Sequence, residues 1–325
     1  MAHRLQAAAL ALTVALVTSA SAQPADDPAI QPVGPAASAI KVIFVIAFEN
    51  HDSKQIYGNT ADAPYINNVL MQKYAYSTNF GDVLPSLPSE PHYVWMEAGT
   101  NKFSDHTFTG DGDATASNST GSTAHLVTQI KNAGTGISWM SYQEGLNKRT
   151  GRCPIASDGY YAAKHNPFVF FRDVSGNPPS KTNTYCADHH KNYKALADDL
   201  ANARVATFNF ITPNQCNDMH GDIGCPNSNE IRAGDNWLKK NLPPIIDYVN
   251  AHQGAIFLVW DEGSNTNLMP FIAVGPGVKK GYASSVKLDH SSLLKSVEEI
   301  LQLPLLATVS GATDFADLFQ AGQFP

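Results

Sequence analysis

Three stretches of this sequence place acids, amides or a histidine just behind apolar runs. Phe48-Glu49-Asn50-His51 follows Lys41–Ala47, and Asp261-Glu262-Gly263 follows Ala255–Trp260. Thr212-Pro213-Asn214 follows Val205–Ile211 and leads on to Asp218-Met219-His220. Glu49, Asn50, Asp261 and Glu262 are oxygen donors, which suit a hard divalent cation such as Mg²⁺, Ca²⁺ or Mn²⁺; Zn²⁺ fits only if a histidine joins them. Carboxylates gathered without a cation repel one another, so their convergence would itself argue for a metal. Taken singly, an acid or amide behind a strand is a turn former or a helix cap. Accumulation at several strand ends is what marks a site.

A fourth stretch, Pro88-Ser89-Glu90-Pro91-His92-Tyr93, runs on to Gly99. Proline is tolerated in the first turn of a helix, so Ser89 is expected close to a helix cap. Free backbone N–H groups and the positive end of the helix dipole would there stabilise an alkoxide and a bound anion. On this stretch alone, Ser89 reads more simply as an N-cap. His106, His125, His189 and His190 carry no motif and read as structural hydrogen-bonding histidines.

These residues need a scaffold that brings distant segments together. Lys41–Ala47, Val205–Ile211, Ala255–Trp260 and Phe271–Val274 are continuous apolar runs, as expected of strands buried on both faces. Helices are expected over 65–76, 123–133, 189–202, 231–251 and 290–302, the last with Leu293, Leu294, Val297, Ile300 and Leu301 on one face. The alternation predicts an α/β fold, with a mainly parallel central sheet covered by helices on both faces. In such sheets ligands sit at the carboxyl ends of the strands, where the acids lie. Residues 101–122 and 145–188 read as long loops, which in a compact domain usually cover a site.

The chain begins with His3 and Arg4, an apolar run from Ala7 to Val17, and a small-residue stretch ending at Ala22. That order reads as a secretory signal over 1–22, too short in its apolar part to span a bilayer. A Pro- and Ala-rich leader is expected over 23–38 and a single domain over 39–325, placing the protein outside the cell or in the periplasm without a stable membrane anchor. A net charge of −7 argues against nucleic-acid binding. The four cysteines favour disulfides in an oxidising compartment. Sequence proximity suggests Cys216–Cys225 and Cys153–Cys186, among three possible pairings.

Read together, the motifs resemble the phosphoesterase family of secreted acid phosphatases and phosphatidylcholine-type phospholipases C, relatives of the alkaline-phosphatase superfamily. The resemblance rests on Glu49-Asn50, Tyr57-Gly58, the Ser89 stretch, and Ser138-Trp139 with Tyr142-Gln143-Glu144-Gly145. It continues through Lys164-His165-Asn166-Pro167, Asn217-Asp218-Met219-His220, Asp261-Glu262-Gly263, Gly275-Pro276 and His290-Ser291-Ser292. It implies an alkaline-phosphatase-like fold and a metal-dependent phosphoric ester hydrolase working through a phosphoserine on Ser89. Glu49, Asn50, Ser89, Asp261 and Glu262 would hold the divalent ion, with His290 as a further, second-site ligand. His220 would protonate the leaving oxygen or stabilise the phosphoryl group, His165 would contact the phosphoryl oxygens, and Asp218 belongs to the same catalytic set. The pattern departs at His92, where the resemblance leads one to expect Asn. A small phosphate ester is the expected substrate and acid phosphatase the favoured activity, with phospholipase C as the alternative. A non-catalytic exported phosphate-binding module is the remote one, against which the joint presence of Ser89, Glu49, Asp261 and Glu262 argues.

Overall fold

The structure is a computed structural model and describes Met1, residues 38–134 and residues 136–325. The expected signal and leader therefore lie outside the described residues, apart from Met1 and Ser38. From Ser38 onward the chain builds one continuous hydrophobic core.

Eleven strands are present among the described residues. They are β1 (Val42–Phe48), β2 (Ala75–Ser77), β3 (Phe80–Gly81), β4 (Trp139–Gln143), β5 (His190–Asn192) and β6 (Phe208–Thr212), followed by β7 (Gly254–Trp260), β8 (Leu268–Met269), β9 (Phe271–Val274), β10 (Ala283–Ser284) and β11 (Leu288–Asp289). Eight form the main sheet in the order β10-β2-β9-β7-β1-β6-β4-β5. From β7 to β5 every pair is parallel; β9 runs antiparallel to β7 and to β2. The fold is α/β, as expected. The small sheet β11-β3-β8 stands beside it.

Every residue of β1 is buried, which explains its unbroken apolar run. Alternate residues face opposite sides. Phe44 packs edge-on against Tyr248 and Phe48 against Trp237, both on the long helix Glu230–Ala251. Val45 faces the other way and shares a small cavity with Met96, Leu293, Leu294 and Val297. Those residues belong to the helices Ser89–Ala98 and His290–Ile300, so both faces of the sheet are covered. At the foot of β1 the Ala39 N–H donates to the Pro325 carbonyl (3.0 Å).

Several boundaries depart from the sequence reading. The helix expected over 65–76 is a π-helical turn, Ile66–Leu70, and a single turn to Lys73, because Ala75–Ser77 is taken by the sheet. The helix expected over 189–202 is split. His190–Asn192 pairs with β4, the Asn192 side chain caps the next turn, and only Leu196–Ala201 is α-helical. Both suggested disulfides are present, Cys153–Cys186 and Cys216–Cys225. No helix of the described residues is long and apolar enough to cross a membrane.

Candidate active site

The register of the central strands assembles the acids. Phe48 of β1 lies opposite Trp260 of β7, so the next residues, Glu49 and Asp261, leave the sheet side by side. The Asp261 N–H donates to the Phe48 carbonyl (3.0 Å), and Asp261 Oδ1 accepts the Asn50 N–H (3.1 Å). Asn50 takes a left-handed backbone (φ 47°), which asparagine tolerates better than most residues. On the other flank of β1, the Glu49 N–H donates to the Asp218 carbonyl (2.9 Å), tying in the turn that follows β6. In that turn Asn214 N–H and Asn217 Nδ2 both donate to Glu144 Oε2 (3.0 and 2.9 Å), and Asp218 Oδ1 accepts the His220 N–H (2.8 Å). Met219, between them, is buried at φ 78° and lies so close to Gly234 that a Cβ there would meet its Cγ at 2.3 Å.

Ser89 is the first residue of its helix, with Pro88 as the cap. Its hydroxyl lies 3.1 Å from Glu49 Oε2 and 3.2 Å from Glu262 Oε1. The N-cap reading of Ser89 therefore gives way: the side chain faces carboxylates from two other segments. The expected cradle of free amides is also thinner than the sequence suggested. The Glu90 N–H donates to Asp111 Oδ1 (3.0 Å), and Pro91 has none to offer.

One turn along the same helix, Tyr93 donates to Glu49 Oε1 (2.5 Å) and stacks on His165, with centroids 5.1 Å apart. His165 Nε2 stands 3.4 Å from Glu49 Oε2 and its Nδ1 3.5 Å from Asp218 Oδ2, neither a hydrogen bond. His220 donates through Nδ1 to the Gly221 carbonyl (2.6 Å), leaving Nε2 for the site. Ligand atoms of Glu49, His165 and His220 all lie within 4.8 Å of one another.

Burial and mutual repulsion set the electrostatics of these acids. Burial, then the charge of Asp218, pushes Glu49 up to about 8. Burial raises Asp218 and Asp261 well above the carboxylate range, the charge of a neighbouring acid adding to it in each, and Glu262 is raised by burial as well. His165 is held neutral, chiefly by burial. Asn50 Oδ1, Asp218 Oδ2, Asp261 Oδ2 and His165 Nε2 are buried with no hydrogen-bond partner. Buried polar atoms are rarely left so, and four on one cluster of acids fit a bound divalent ion.

Of the residues singled out from the sequence, Glu49, Asn50, Ser89, Asp261, Glu262, Asp218, His165 and His220 are linked by these contacts. His290 is not among them. It is buried with Nε2 on the Trp260 carbonyl (3.0 Å), which leaves the buried, unpartnered Nδ1 for any ligand role. His92 bridges the Pro88 carbonyl and Asp82 Oδ1, both at 2.9 Å, and so anchors the Ser89 turn. Sequence reasoning gave no role to Tyr93, Glu144, Asp111 or Lys164. Only Tyr93 carried a usable signal, being four residues from Ser89 and hence on the same helix face.

The phosphoesterase family model matches residues 83–304. The chain belongs to the phosphoesterase family. It is similar to a phosphatidylinositol-3-phosphatase of Mycobacterium tuberculosis, 28% identical over 90% of this chain and 88% of that one. A probable acid phosphatase of Kluyveromyces lactis is 27% identical over 86% of this chain and 63% of its own length. Among solved structures, murine ectonucleotide pyrophosphatase/phosphodiesterase 5 aligns with a TM-score of 0.53 at 10% identity, covering 86% of this chain and all of that one. An alkaline phosphatase superfamily protein from Vibrio parahaemolyticus aligns at 0.51 and 10% identity, over 84% and 69%. These likenesses establish the fold as alkaline-phosphatase-like, and this phosphoesterase is a phosphoric ester hydrolase.

Proposed function

We propose that this protein is an exported, metal-dependent phosphomonoesterase whose nucleophile is Ser89. The observation that carries the reading is the Ser89 hydroxyl within hydrogen-bonding distance of both Glu49 and Glu262. Glu49, Asn50, Asp261, Glu262 and Ser89 would hold the divalent ion. When bound, it supplies a Lewis acid that makes the hydroxyl acidic and meets phosphoryl charge.

The protein's own groups do the rest. Tyr93 fixes Glu49 by one oxygen and leaves Oε2 to receive the Ser89 proton. Oγ bonds to phosphorus as the bond to the leaving oxygen breaks, and His220 Nε2 gives that oxygen its proton. His165, neutral and held against Tyr93, offers Nε2 to a phosphoryl oxygen. Water then attacks phosphorus, giving a proton to His220, as the Oγ–P bond breaks and Glu49 returns the proton to Ser89.

Two disulfides support export into an oxidising compartment. The mycobacterial relative's name supports a second reading of the substrate, a phosphomonoester on a lipid headgroup. Turnover of para-nitrophenyl phosphate, a short-chain phosphoinositide and dispersed phosphatidylcholine separates the choices, with choline phosphate release pointing to phospholipase C. For the mechanism, Ser89→Ala is expected to lower kcat by about 10³-fold or more with an unchanged circular dichroism spectrum. Near-normal turnover in that variant removes Ser89 from its role.

A further inference from the structure

Two first-turn positions of the helix that carries Ser89 offer no free donor, since the Glu90 N–H is bonded to Asp111 and Pro91 has none. That leaves a phosphoryl group on Ser89 few helix amides, and a further positive charge would help to hold it. Asp111 supplies a route. Its Oδ1 caps the helix through Glu90, and its Oδ2 accepts the ammonium of Lys164 (2.6 Å). The cap is reciprocal, because the Gly112 N–H donates to Glu90 Oε2 (2.7 Å). On the other side, the Ala163 N–H donates to Ser157 Oγ, which in turn donates to Asp113 Oδ1 (2.9 and 2.8 Å). The Lys164 ammonium is thus held by Asp111, two hydrogen bonds from the Ser89 turn, while Ser157 holds the backbone beside it. Its side chain stays 17% exposed, and the next residue is His165. Its charge also acts on Glu49, Asp218 and Asp261.

We propose that Lys164, tethered by Asp111, is the specificity-determining residue that receives the second negative charge of a phosphate monoester. The inference rests on reading this site as the phosphoryl-transfer centre. A monoester dianion presents one more anionic oxygen than a diester, and a fixed ammonium at the helix start favours it by a charge-assisted hydrogen bond. Lysine serves as a point charge here, so its pairing with Asp111 leaves two further donors on the same nitrogen.

The test uses inorganic phosphate as the probe, titrated calorimetrically into the Mg²⁺-supplemented protein. At about pH 5.5 the probe is a monoanion and at about pH 8 a dianion. Losing one charge-assisted hydrogen bond predicts that Lys164→Met weakens dianion binding about 30-fold and monoanion binding about threefold or less. Lys164→Arg is expected to recover most of the dianion affinity, and the thermal midpoint to stay close to that of the wild type. Equal weakening of both ions would mean that Lys164 only holds the loops, and no weakening would mean that it meets no phosphate; either overturns the proposal. The Ser89→Ala variant keeps the two readings apart. If it retains turnover while Lys164 still discriminates the two ions, the serine mechanism falls and the role of Lys164 stands.

Discussion

Glu49 divides its work between two oxygens. Oε1 is held by Tyr93, and Oε2 faces both Ser89 and His165. Removing the tyrosine hydroxyl leaves the acid unfixed without altering the packing of the ring. A hydrogen bond to a charged partner contributes about 1.5–3 kcal/mol, so Tyr93→Phe is expected to lower kcat about tenfold or more at saturating metal. Steady-state kinetics on para-nitrophenyl phosphate checks this, and an unchanged kcat would make the hydroxyl idle. At this scale the sequence disclosed what lies directly behind a strand. Glu49, Asp261 and Asp218 were legible because a parallel strand delivers its next residues to one edge. Tyr93 acts through a helix repeat, which its spacing from Ser89 could signal, whereas Lys164 acts through two loops and has no local signature. His290 lies apart from these contacts, with Nε2 on the Trp260 carbonyl and Nδ1 buried without a partner.

Elements position these groups through a few close contacts. Gly234, on the Glu230–Ala251 helix, has no room for a Cβ beside Met219. Gly234→Ala is expected to push the Asp218–His220 turn outward and to reduce kcat about tenfold while leaving most of the secondary structure intact, because a small misplacement of a catalytic group is costly. Turnover alongside circular dichroism distinguishes that from unfolding. Two buried histidines bind elements in opposite pH windows. His190, at the start of β5, is pushed down to about 4, mainly by burial. Below pH 6.5 the unfolded chain takes up a proton that the folded one refuses, so stability falls as pH drops from about 6.5 to 4, by up to about 3 kcal/mol. Burial would lower His125 too, but hydrogen bonds to Asp173 and Glu97 outweigh it and hold the ring charged. Its contribution is complete below its ordinary pKa and is lost as pH rises through the higher, folded value. Urea midpoints of His190→Gln and His125→Gln should therefore flatten the acid and alkaline sides respectively. Long apolar runs such as β1 and β7 could be read from the chain, but β4, β5 and the direction of β9 could not. Those depend on which neighbour a short segment meets.

Across the whole molecule, one covalent link lies within the core and the other outside it. Cys153–Cys186 closes 33 residues and is buried, whereas Cys216–Cys225 closes nine around Asp218 and His220, with Cys225 partly exposed. On loop entropy alone they stabilise by about 4 and about 3 kcal/mol. Mild reductant is expected to open the smaller loop first, with turnover falling before the thermal midpoint does. Thiol titration in parallel with an activity assay reads the order, and loss of both properties together would contradict it. The overall architecture was legible because alternating runs and helices admit few layered solutions. The hydrogen bond between Ala39 and Pro325 lies just ahead of β1, and the seven residues of that strand separate it from Glu49, roughly 23 Å of extended chain. A label placed on the Pro325 segment would consequently sit at the strand end remote from Glu49 and the proposed site.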